Sequence, residues 1–75
     1  MKSIDLAFIK TRRIELRITM QHMAVILGFK NASTYMKYEN GVYTLKAVHL
    51  PLIAKELHCE LASLFFEHNF AKTAK

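Results

Sequence analysis

Apolar positions recur along this chain at helical spacing, and five helical segments fit among the marks set by its two glycines and one proline. The first covers residues 4–17, where Leu6, Ile9, Ile14 and Leu16, with the stem of Arg13, form one amphipathic stripe. Thr19 offers a hydroxyl cap to a second helix of about eight residues, with Met23, Ala24 and Leu27 on its inner face and Gly28 as a left-handed end. After the connection Gly28-Phe29-Lys30, Asn31 can cap a third helix that buries Tyr35 and Tyr38 and closes at Asn40-Gly41. Leu50, Ile53, Ala54 and Leu57 define a fourth helix, and Leu61, Leu64 and Phe65 a fifth. Pro51 leaves two starts for the fourth. A start at Thr44 makes the proline interior, at a cost of about 3 kcal/mol. A start at His49 or Leu50 places it in the first turn, where it costs nothing, and this later start is favoured.

The expected fold is therefore all-α, a compact five-helix unit. At 75 residues there is room for one domain, with a core over residues 4–66 and a tail over 67–75. The second and third helices, short and joined by a glycine-containing turn, have helix-turn-helix spacing. A hydrophobic fraction of 52% argues against disorder.

Charge sharpens this picture. The net charge is +5, and between Arg17 and Lys55 the bases Arg17, Lys30, Lys37, Lys46 and Lys55 are met by a single acid, Glu39. Glu56, Glu60 and Glu67 follow with no base before Lys72. A basic middle and an acidic distal end point to one face that meets a polyanion and another that does not. The one cysteine, Cys59, forms no intramolecular disulfide and reads as a small apolar residue among leucines, which suits a reducing, cytoplasmic setting. No apolar run approaches the roughly 20 residues of a membrane span, and Gly28, Gly41 and Pro51 interrupt any long basic amphipathic helix.

Candidate chemistry is sparse. His22, His49, His58 and His68 fall in different segments without close ligand spacing, so no metal is expected. There is no glycine-rich phosphate loop and no nucleophile-base set, so no catalytic residue, cofactor or small-molecule substrate is expected either.

Residues 9–65 resemble the phage repressor/Cro family, the XRE-like helix-turn-helix proteins. Ile9-Lys10-Thr11-Arg12-Arg13-Ile14 is similar to the family's first helix. Ile18-Thr19, Met23-Ala24 and Leu27-Gly28 follow its "LT…LA…LG" run, and Glu39-Asn40-Gly41 matches the "ENG" that ends its reading helix. Ile53-Ala54-Lys55-Glu56-Leu57 and the stretch from Leu61 to Phe65 resemble its fourth and fifth helices. Met20 departs from the pattern, standing where the family usually has a phosphate-contacting glutamine; the turn at Lys30-Asn31 is one residue longer than the commonest form.

The resemblance implies a DNA-binding transcriptional regulator, a repressor rather than an enzyme, whose third helix enters the major groove of a short palindromic operator. With Tyr35 and Tyr38 inward, Ser33, Met36, Lys37 and Asn40 face outward. Ser33 and Lys37 would reach base edges, Ala32 and Met36 a thymine methyl, and Asn40 a phosphate, with Gln21, Lys30 and Asn31 as flanking contacts. The resemblance also implies a structural salt bridge between Arg13 and Glu39. A homodimer is expected through Phe66 and Phe70, because adjacent Phe65 and Phe66 on a helix point about 100° apart and a unit this small has little room to bury both; the alternative is a monomer in which Phe66 and Phe70 fold back over the first helix. Two alternatives share the fold: an antitoxin that also holds a toxin, and a protein-interaction module whose basic face no longer reads DNA.

Overall fold

Three of the four α-helices begin where a side chain accepts a backbone N–H that the helix itself leaves unpaired. In the computed structural model, which describes residues 3–66, Asp5 accepts from the Phe8 N–H at 3.0 Å and opens α1 (Leu6–Glu15). Thr19 accepts from His22 at 3.0 Å to open α2 (Met20–Leu27), and Asn31 from Thr34 at 2.9 Å to open α3 (Ala32–Glu39). The fourth, α4 (Leu50–Glu56), follows a 3₁₀ turn over Ala47–His49 and carries Pro51 in its first turn. The late start is the one the chain adopts, so the proline displaces no helical bond.

All four helices also end in one way. The residue after the last turn takes a left-handed conformation, and the following N–H reaches back to a carbonyl five residues earlier. Gly28 (φ 76°) and Gly41 (φ 84°) do this without a side chain, with Phe29 bonded to Ala24 and Val42 to Lys37, both at 2.8 Å. Arg17 (φ 59°) and His58 (φ 53°) do it while carrying one, with Ile18 bonded to Arg13 and Cys59 to Ala54, both at 3.0 Å.

The core sits where α2 packs on α3 and α4, with α1 laid across α3 and the end of the described chain. Ile9, Met23, Ala24, Leu27, Tyr35, Leu45, Leu50, Ile53, Ala54, Leu57 and Leu64 are buried there. Among the described residues no helix is long and apolar enough to cross a membrane.

Three sequence expectations are corrected. The first helix is shorter than residues 4–17, because Asp5 caps it, and Ile14 lies exposed on its flank while Arg13 turns inward. The fifth helix is a single 3₁₀ turn, Leu61–Leu64, so the described chain holds four α-helices and not five. Its backbone groups are committed elsewhere: the Asp5 N–H donates to the Leu64 carbonyl at 2.7 Å and the Phe66 N–H to the Ser3 carbonyl at 2.9 Å. These bonds flank an antiparallel bridge between Ile4 and Phe65 and draw residues 65–66 into extended chain. Finally, Phe65 and Phe66 therefore diverge by strand alternation, Phe65 half-buried and Phe66 exposed, rather than by helical rotation.

The 3₁₀ turn separates two leucines that the helical reading put together, Leu64 at 0% and Leu61 at 46% exposure. Leu64→Ala is expected to cost about 2–5 kcal/mol and Leu61→Ala within about 0.5 kcal/mol of nothing, measured by urea denaturation. Equal losses would restore the helix.

Candidate nucleic-acid interface

The orientation of α3 is set from beneath by a buried ion pair. Arg13 on α1 is 7% exposed and Glu39 in the last turn of α3 is 4% exposed. Arg13 Nε donates to Glu39 Oε2 at 2.8 Å and Nη2 to Oε1 at 3.1 Å, a two-point contact that fixes direction as well as distance. Arg13 Nη1 donates to the Ile18 carbonyl at 2.9 Å, and the hydroxyl of fully buried Tyr35 donates to Glu39 Oε2 at 2.6 Å. Hydrogen bonding to Glu39 raises the Arg13 pKa above its ordinary value, and burial followed by the bond to the carboxylate raises that of Tyr35. Among the described residues no buried side-chain polar atom lacks a partner, so this network is closed.

With Tyr35 and Glu39 inward, α3 turns Ser33, Met36, Lys37 and Asn40 outward, and all four are exposed. Ala32 is half-buried at the helix start. Asn31 is exposed but engaged, its Oδ1 accepting from both the Thr34 N–H and, at 3.1 Å, the Thr34 hydroxyl. Lys30 is exposed in the connection before it, and Gln21 in the first turn of α2, beside a half-buried Met20 that packs on the core. The sequence places Tyr38 inward with Tyr35; it is only half-buried, and its ring stacks on Phe29 with centroids 4.3 Å apart. Phe66 is exposed, and Phe70 falls outside the described residues.

Several contacts have no counterpart in the sequence reading. Phe29, Tyr38, Tyr43 and His49 form one aromatic array, Tyr43 meeting Tyr38 at 5.3 Å and His49 meeting Phe29 at 5.1 Å, both edge-on. It joins the connection before α3, α3 itself, the loop after it and the 3₁₀ turn before α4. Arg12 Nε donates to the Leu57 carbonyl at 3.0 Å and so caps α4, while His22 Nε2 lies 2.5 Å from Glu56 Oε2 and joins α2 to α4. An arginine on helix one carries no local signal that it will meet a carbonyl 45 positions later. The aromatic cluster had a faint one, in the density of rings between Phe29 and Tyr43.

His49 Nδ1 accepts the Lys46 backbone N–H at 3.0 Å, and burial, followed by the Lys46 charge, lowers the pKa of its ring. No family model, curated protein or solved structure matches this chain.

Two outcomes follow from this geometry. Arg13→Ala is expected to cost about 3–5 kcal/mol, because it strands a buried carboxylate, and Glu39→Gln in the same background should recover part of that loss. Urea denaturation of the parent, both single variants and the double variant measures the coupling, and additive effects would exclude it. For His49, a folded pKa below the unfolded one means that its contribution is complete above about pH 6.5 and is lost as pH falls through the folded value. The parent should therefore lose more stability than His49→Gln between pH 7.5 and pH 5. Parallel losses would show that the ring does not titrate in this way.

Proposed function

We propose that this chain is a sequence-specific duplex-DNA-binding regulator of the repressor/Cro type and not an enzyme, with α2 and α3 as its helix-turn-helix and α3 as the element that enters the major groove. The observation that carries this reading is the fate of Glu39. It is the only acid between Arg17 and Lys55, and it is buried against Arg13. From that whole stretch the surface receives Arg17, Lys30, Lys37, Lys46 and Lys55, all exposed, and no carboxylate. A short helix projecting Ser33, Met36, Lys37 and Asn40 from such a surface has the donors, acceptors and apolar contact needed at base edges, with cations around it for phosphate.

Helix ends support the same reading. The backbone N–H groups opening α2 and α3 carry partial positive charge, and no acid lies in the first turn of either. Assembly as a homodimer belongs to the proposal as well. Leu61 at 46% and Phe66 at 44% exposure lie in one terminal segment, and a two-fold pair would set two reading helices about 34 Å apart, one turn of duplex.

Binding to duplex DNA should weaken steeply with salt, each neutralised phosphate adding about −0.9 to the slope of log K against log salt. Lys37→Ala and Ser33→Ala should fold as the parent does by circular dichroism, yet lose about 1–3 kcal/mol on the selected site and relax one base position each. Selection from genomic fragments followed by anisotropy titration reads both. A flat salt response, or variants that select the same sites as the parent, would remove α3 as the reader.

A further inference from the structure

Lys37 is the only base on the outward face of α3, and its ammonium has a partner at the surface. The Nζ lies over the ring of Tyr43, 5.5 Å from the centroid, inside the roughly 6 Å range in which the negative face of a ring attracts a cation. The ring is itself held from two sides. The N–H groups of Val42 and Tyr43 both donate to the Lys37 carbonyl, at 2.8 and 3.2 Å, so the loop is tied to the residue whose side chain it meets. Tyr43 then rests edge-on against Tyr38, at an interplanar angle of 68°, and Tyr38 lies nearly parallel to Phe29, at 8°. Although exposed, Tyr43 has its backbone and its ring fixed.

We infer that Tyr43 is a positioning residue for Lys37: its ring holds the ammonium in one place on the outward face of α3, ready to donate to a base edge or a phosphate. This rests on the DNA-reading role proposed above. A free lysine surrenders the freedom of a long flexible stem when it binds, and a contact already made in the unbound protein removes part of that cost. A ring face occupies one side of the ammonium and leaves N–H groups on the other sides free to donate. The contact therefore persists in the complex and favours binding. A contact made equally in the free and bound protein cancels in the affinity, so the gain is the ordering cost already met for one long side chain, about a two- to fivefold change in affinity.

The test uses the full chain and a 30-base-pair mixed-sequence duplex at low salt. Tyr43→Leu should bind about two- to fivefold more weakly, Tyr43→Phe should restore parental affinity, and Tyr43→Leu should have no further effect once Lys37→Ala is present. Tyr43→pentafluorophenylalanine keeps the shape of the ring but reverses the charge of its face, so it should match leucine without disturbing the packing. In the free protein, the Lys37 ε-methylene proton resonances should be shifted upfield by the ring in the parent and in Tyr43→Phe, and unshifted in Tyr43→Leu. Unshifted resonances in the parent, tighter binding by Tyr43→Leu, or equal Tyr43 effects with and without Lys37 would each overturn the positioning role alone. A parent that binds no duplex at low salt would overturn the DNA reading, and this role with it.

Discussion

An eight-residue helix has too few internal bonds to stand alone in water, so α3 takes its orientation from what it buries. It buries little: Tyr35 enters the core, and Glu39 meets Arg13. That ion pair is the constraint on which the arrangement depends. Its two parallel bonds fix the rotation of α3 about its axis, and the third Arg13 bond, to Ile18, fixes the connection between α1 and α2. A buried pair of this kind contributes less to stability than its Coulomb energy suggests, because both charges were desolvated to form it. Its larger effect is on geometry, since one planar guanidinium meets both carboxylate oxygens only within a narrow range of orientations.

The same pair shapes the outer surface. An exposed carboxylate at position 39 would neutralise part of the charge of Lys37 and Lys30; turned inward, it leaves no exposed carboxylate between residues 17 and 55. Internal architecture and surface electrostatics are thus two results of one burial, and substitutions at Arg13 act on both. The aromatic array works in parallel on the opposite flank. Phe29, Tyr38, Tyr43 and His49 brace the segments before and after α3 against one another, so the helix is held at both ends as well as from below.

Short helices make their termini a large share of the fold. Ending all four on left-handed residues turns the chain sharply enough to pack them within 64 described residues. Glycine accepts this conformation without strain, whereas Arg17 and His58 carry a steric cost of roughly 1 kcal/mol each. Contacts nearby compensate: Arg13 bonds Ile18 just past Arg17, and Arg12 bonds Leu57 just before His58. The two arginines of α1 therefore stabilise the ends of two helices, one of them α1 itself.

The sequence by itself determined the elements whose causes are local. Side-chain caps at Thr19 and Asn31, glycine ends at Gly28 and Gly41, and the place of Pro51 are properties of a few neighbouring residues, and helical periodicity then puts Ser33, Met36, Lys37 and Asn40 on one side of α3. Tertiary structure decided whatever depends on a partner far along the chain. The closing segment has a helical pattern, but residues 3 and 5 claim its backbone groups, and that competition is invisible locally. Tyr38 keeps helical spacing with Tyr35, yet only its neighbours Phe29 and Tyr43 settle that its ring stacks half-buried against the edge of the core rather than fully within it. The same holds for Arg13 and Glu39. A family resemblance can suggest the pair, but packing between residues 26 positions apart is what brings the charges into contact and closes water out.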